Sequence, residues 1–113
     1  MSGITTHVLD ISRGQPAAGV PVTLEIEGAG GWTLLSKGTT NADGRIPNLG
    51  PNDATVVAGV YRLIFDTGAY FASVNARSFY PQVTVTFKIE DPNQHYHVPL
   101  LLSPFGYSTY RGS

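Results

Sequence analysis

Hydrophobic and polar residues alternate with a period of two over several stretches. Val20, Val22, Leu24 and Ile26 interleave with Pro21, Thr23, Glu25 and Glu27. That spacing sets one face of a strand on a core and the other toward water. The same period joins Tyr61, Leu63 and Phe65 against Arg62, Ile64 and Asp66, and Val83, Val85, Phe87 and Ile89 against Thr84, Thr86 and Lys88. Gly28-Ala29-Gly30-Gly31 reads as a hairpin loop leading into a strand over 32–35. Asn41-Ala42-Asp43-Gly44 reads as a turn, followed by a short edge strand over 45–49 limited by Pro47. Further strands are expected over 4–9, 96–102 and 107–110. Asp66 or Thr67 is placed to cap one short helix near 67–75, with Tyr70, Phe71 and Val74 on one face. About eight short strands with frequent turn signals predict an all-β, two-sheet β-sandwich. The 113 residues fit one domain, 1–113. A domain of this size buries roughly 65% of its unfolded surface, enough for one core without staples.

One strand departs from the half-buried rule. Over 96–102, Tyr96, Val98, Leu100 and Leu102 make a core-facing set. The opposite face, His95, His97, Pro99 and Leu101, should be solvated, yet it sets Pro and Leu beside two imidazoles. A partly apolar outward face with polar groups set into it predicts a subunit interface. The strand over 107–110 is expected beside it, with Ser108 and Tyr110 sharing that surface.

Composition narrows the function classes. The formal net charge of −1 leaves no electrostatic case for nucleic acid or an anionic membrane as partner. With no cysteine there is no disulfide, thiol nucleophile or thiolate-held metal. No stretch approaches the roughly 18 apolar residues of a membrane span. Met1-Ser2-Gly3 does not open a basic and then apolar leader. The expectation is a cytoplasmic protein, with peroxisomal and periplasmic locations left open.

The chain contains no Gly-x-Ser-x-Gly elbow, no phosphate loop and no His-Glu-x-x-His helix. It does contain three histidines, two of them in His95-x-His97, together with Arg45 in a Gly-Arg turn and Arg111 near the end. Imidazole titrates near pH ~6.5 and can take and return a proton at neutral pH. Guanidinium stays charged, and its planar fork holds a flat ring or an oxyanion. Two imidazoles on one strand face, with His7 added, also suit zinc. No carboxylate motif supports that reading, so neither metal nor cofactor is expected.

Three ordered blocks and the terminal tetrapeptide carry a resemblance. They are Thr6-His7-Val8-Leu9-Asp10 with Gly14-x-Pro16-Ala17-x-Gly19-Val20, then Thr40-x-x-Asp43-Gly44-Arg45, then His97-Val98-Pro99-Leu100-Leu101-x-Ser103-Pro104, closing on Tyr110-Arg111-Gly112-Ser113. Together they resemble the 5-hydroxyisourate hydrolases, the enzyme branch of the transthyretin-related proteins, over nearly the whole chain. Transthyretin carriers resemble the chain less at the key positions. They have Lys where His7 stands, Glu for Arg45, Thr for His97 and Thr for Tyr110, and they run on past it.

The resemblance implies a transthyretin-like sandwich and hydrolysis of 5-hydroxyisourate to 2-oxo-4-hydroxy-4-carboxy-5-ureidoimidazoline in urate catabolism. It implies a catalytic set of His7, Arg45, His97 and Tyr110. Substrate binding would fall to Arg45, Ser108, Tyr110, Arg111, Gly112 and Ser113. It further implies a homotetramer, a dimer of dimers, with sites at the dimer–dimer interface; His95 has no matching role. Three rivals stand beside this reading: a non-catalytic carrier of a planar aromatic ligand, a sandwich interaction module with incidental histidines, and a zinc-dependent hydrolase.

Overall fold

A computed structural model describes residues 3–47, 49–50 and 56–113. In chain order the elements are β1 (Gly3–Asp10), β2 (Gln15–Pro16), β3 (Pro21–Gly28), β4 (Gly31–Thr39), β5 (Gly59–Phe65), α1 (Thr67–Ser73), β6 (Val83–Ile89), β7 (His95–Ser103) and β8 (Gly106–Thr109). The eight strands form two four-stranded sheets, ordered β2-β1-β7-β8 and β4-β3-β5-β6. This is the mostly-β sandwich with one short helix that the alternation predicts.

The inner faces are the predicted ones. Tyr96, Val98, Leu100 and Leu102 of β7 are buried, and they meet Val22 and Leu24 of β3 with Tyr61, Leu63 and Phe65 of β5 in one apolar cluster. Burying each such side chain stabilises the fold by roughly 1.5–3 kcal/mol before chain entropy is counted. Asp66 caps α1, its carboxylate accepting from the Ala69 N–H at 3.1 Å. Tyr70 and Phe71 of the helix are buried, and Val74 packs partly against the core. The helix ends at Ser73, two residues short of the expected 75. Val74 is its C-cap, and Asn75 enters the left-handed region at φ 58°.

Three details differ from the sequence reading. First, β4 runs on to Thr39, well past the expected end at 35. Its register slips at Leu24/Glu25, where Leu24 faces Ser36 and Glu25 faces Leu34. This bulge turns Leu35 toward the core and leaves Leu34 exposed, so two adjacent leucines do not end the strand. Second, β2 was not anticipated; it is a two-residue strand paired to the end of β1.

Third, among the described residues the expected edge strand over 45–49 reduces to one bridge, between Arg45 and His7. Pro47 has no N–H to extend the ladder, and Asn48 lies outside the described residues. Met1 and Ser2, on which the leader expectation rests in part, also lie outside them.

The pairing that positions the site is the parallel one between β1 and β7. It sets Thr5 opposite His97 and His7 opposite Pro99. Because the side-chain period is two, Thr5, His7, His95, His97 and Pro99 all belong to the outward face of one sheet.

Candidate active site

His97 lies at the centre of the outward face, half-buried between β1 and the chain end. Its Nδ1 lies 2.8 Å from Thr5 Oγ1, and the same hydroxyl lies 2.9 Å from His95 Nε2. Burial, followed by the charges of Arg45, His7 and His95, holds the His97 imidazole below the ordinary histidine value. The ring therefore favours its neutral form, the one with a free nitrogen lone pair.

Arg45 is delivered by a tight turn. Asn41 Oδ1 accepts from the N–H groups of Asp43 and Arg45 at 2.9 and 3.1 Å. Asn41 and Arg45 also pair through the backbone, the Asn41 N–H donating to the Arg45 carbonyl at 2.8 Å. Gly44 sits at φ +76°, and a Cβ there would fall 2.3 Å from the Val8 carbonyl oxygen. Only glycine admits both the left-handed backbone and that approach. The Gly44 carbonyl accepts from the Val8 N–H at 2.8 Å, which pins the turn to β1 beside His7.

The chain end closes the other side. The Gly112 N–H donates to the His97 carbonyl at 2.8 Å, so the tail runs along β7. Beyond it, Ser113 joins Thr5, Thr6, Arg45, Ile46, Pro47, His95 and His97 in lining a cavity of about 450 Å³.

The sequence-predicted residues divide into groups. Arg45, His97 and Ser113 line this cavity. His7 stands at its flank, bridged to Arg45 through the backbone and close enough to influence the His97 charge. Gly112 packs on the His97 ring. Ser108 lies on the neighbouring strand, exposed and opposite Leu101.

Tyr110 and Arg111 line a different cavity, of about 290 Å³, with Val85, Phe87, Tyr96 and Val98. Arg111 lies 4.4 Å over the Tyr96 ring and donates to Gln94 Oε1 at 2.8 Å. The structure therefore does not bring these two side chains to the His97 cavity within one chain. His7, His95 and His97 form no cluster that could hold a metal ion among the described residues.

Five lining residues, Thr5, Thr6, Ile46, Pro47 and His95, were not among the predicted site residues. Thr5 carries no signal in a single sequence; only the parallel register puts it between the histidines. His95 did carry one, since His95-x-His97 places both rings on one strand face.

The match to the family model described as "HIUase/Transthyretin family" spans residues 4–112. The chain belongs to the HIUase/Transthyretin family. Within that family, a curated relative named 5-hydroxyisourate hydrolase, from Salmonella dublin, is 52% identical over 97% of this chain and 80% of its own length. The solved 5-hydroxyisourate hydrolase of Klebsiella pneumoniae is 44% identical, covers 99% of this chain and 100% of its own, and superposes with a TM-score of 0.86. Transthyretin from Sparus aurata is 36% identical, covers 99% of this chain and 97% of its own, and superposes with a TM-score of 0.91. The backbone matches transthyretin and 5-hydroxyisourate hydrolase alike, so the division within the HIUase/Transthyretin family rests on side chains.

Proposed function

We propose that this protein is a hydrolase that opens the six-membered ring of 5-hydroxyisourate by cleaving a ring amide, a step of urate breakdown. One observation carries the reading. Arg45 and His97 come from distant stretches of chain and line one polar cavity with the chain-terminal residue, Ser113. A carrier needs a shaped pocket, whereas amide hydrolysis needs a proton carrier beside a fixed positive charge. The names of the relatives at 52% and 44% identity point the same way.

In this mechanism His97 takes a proton from water as its oxygen bonds to the ring carbonyl carbon. Arg45 holds the oxyanion that forms on that carbonyl. The carbon–nitrogen bond then breaks, and the nitrogen leaves with a proton returned from the histidine side. His7, at the flank of Arg45, helps to set the charge around His97. Tyr110 and Arg111, which line a separate cavity within one chain, would serve the site only across the subunit interface, with Ser108, Gly112 and Ser113 contributing to substrate binding.

The same reading takes the protein to be a homotetramer whose sites form where two dimers meet. The outward sheet face, with half-buried His97 and Leu101 beside Pro99, suits a covering subunit. Water exclusion there would strengthen the attraction of Arg45 for developing charge. No helix among the described residues is long and apolar enough to cross a membrane. A cytoplasmic location is part of the proposal, and cell fractionation tests it.

The direct test generates 5-hydroxyisourate in place from urate and follows its ultraviolet decay. Addition of the protein should accelerate the decay in proportion to its concentration. The transthyretin-like backbone favours one alternative, a carrier of a planar aromatic ligand. Saturable binding of the compound with an unchanged decay rate would establish that reading instead.

A further inference from the structure

Thr5 Oγ1 lies between two imidazoles from the same strand, 2.8 Å from His97 Nδ1 and 2.9 Å from His95 Nε2. A hydroxyl has one proton to donate and lone pairs to accept with. The two contacts are therefore linked: when Thr5 donates to one ring, its oxygen accepts from the other. The tautomer of His97 is thus tied to the state of His95. We propose that His95 and Thr5 are positioning residues forming a proton chain that sets His97 as the base and carries its proton to the surface. This extends the hydrolase reading of the site and rests on it.

The chain balances proton by proton. At rest, His97 Nδ1–H donates to Thr5, the Thr5 O–H donates to His95 Nε2, and His95 carries its own proton on Nδ1. His97 Nε2 is then the bare nitrogen, free to take a proton from water as the water oxygen bonds to the substrate carbonyl. When that proton arrives, the Nδ1 proton of His97 passes to Thr5 and the Thr5 proton passes to His95 Nε2. His97 ends neutral with its proton on Nε2, and His95 ends as the imidazolium. The same steps in reverse return the proton for the leaving nitrogen.

Burial and surrounding charge give the chain its direction. His97 is half-buried and faces Arg45 from the turn after β4, His7 from β1, His95 from its own strand and the chain-terminal Ser113 across the cavity. A cation on His97 is poorly hydrated and repelled by Arg45. His95 is exposed, so a cation there is hydrated. Of His95, Arg111 reaches only the backbone carbonyl, at 3.4 Å, and its other contacts are Gln94 and the Tyr96 ring.

Two measurements on the intact protein test the chain. The first is substrate-free: long-range proton–nitrogen NMR of the imidazoles at a pH where they are neutral. Wild-type His97 should carry its proton on Nδ1. Thr5→Val should return it to the Nε2–H form that free imidazole prefers. A wild-type His97 already in the Nε2–H form, or a tautomer indifferent to Thr5→Val, overturns the proposal whatever the reaction is.

The second is kinetic. Thr5→Val and His95→Gln should each lower kcat about ten- to a hundred-fold, the scale of removing the partner that orients a functional imidazole, while KM stays within about two-fold. Thr5→Ser should restore kcat to within about three-fold of wild type. The Thr5→Val/His95→Gln double variant should be no slower than the worse single variant, because both changes cut one chain. Multiplicative losses, or full kcat in His95→Gln, would sink the proton chain and leave the hydrolase reading standing. A wild-type protein that does not turn over 5-hydroxyisourate would sink the hydrolase reading, and the NMR result would still decide the tautomer coupling.

Discussion

Gly112 is packed against the imidazole of His97. A Cβ at position 112 would lie 2.6 Å from His97 Cδ2 and 3.4 Å from Pro99 Cγ, closer to the ring than side chains come. The tail thus braces the ring that the proposed chemistry uses, while its N–H holds the His97 carbonyl at 2.8 Å. Gly112→Ala must displace the ring or release the tail. We expect kcat/KM to fall about ten- to a hundred-fold with Tm nearly unchanged, because misplacing a reacting group by about 1 Å costs on that order. A variant with wild-type kinetics would show that the contact is dispensable.

Removing the chemistry itself should cost more. His97→Asn and Arg45→Glu should each reduce kcat/KM about 10²–10⁴-fold, the range for acid–base and oxyanion groups. His7→Asn belongs at the lower end of that range, since His7 flanks the cavity and does not line it. Circular dichroism should confirm that each variant is folded. Near-normal turnover in any of them removes that residue from the mechanism.

Protonation of His97 contributes to the acid limb of the rate profile. Burial, and after it the charges of Arg45, His7 and His95, keep its folded value below 6.5. The neutral base therefore persists below that pH, and the part of the fall in kcat/KM due to His97 should come once pH passes under the lowered value. The same sign applies to stability: the unfolded chain binds the proton first, so stability is lost as pH falls from 6.5 toward the folded value. Arg45→Gln removes a repelling charge, so it should move the acid limb of the residual activity upward. An unmoved limb would show that Arg45 does not act on the His97 charge.

A buried pair outside the site holds β1 to the helix. The Tyr70 O–H donates to Asp10 Oδ2 at 2.6 Å, and Ser12 donates to Oδ1 through hydroxyl and N–H. Burial alone would raise the Asp10 value, but the hydrogen bonds from Ser12, Tyr70 and Arg13 outweigh it and bring the value below 3.8. Tyr70→Phe should cost about 1.5–3 kcal/mol in chemical denaturation at pH 7, the scale for a hydrogen bond to a charged group. The lowered carboxylate stabilises the fold above pH ~4 and loses its contribution as pH falls through the folded value. The wild-type advantage should therefore shrink in acid; a constant difference would contradict this account.

Truncation after Thr109 should abolish turnover and leave the sandwich folded. None of the four residues removed is itself a buried core residue, and they include the brace on His97 and the Ser113 wall of the cavity. Thermal melts and the decay assay on the same sample separate the two effects. Full turnover in the truncated chain would show that the tail has no part in the site.

Much of this molecule follows from local pattern. The alternation through β3, β5, β6 and β7 names the core residues, because a period of two has only one way to present an apolar face to a facing sheet. The Asn-Ala-Asp-Gly turn and the capped helix are equally local, set by backbone freedom and short side-chain hydrogen bonds. The bulge in β4 was not legible, since nothing in two adjacent leucines says which one will turn outward. Nor was the loss of the 45–49 strand beyond its first bridge.

The terminal residues show the limit most clearly. Sequence placed Tyr110, Arg111 and Ser113 together, yet the extended backbone sends Arg111 onto Tyr96 and Ser113 toward His97. The one-dimensional chain thus determined most of the strands and the core. Tertiary structure alone decided that β1 runs parallel beside β7, placing the Thr5 hydroxyl 2.8 Å from a ring 92 positions away. A pairing between strands so far apart depends on the whole core closing around it, and no local pattern encodes that register.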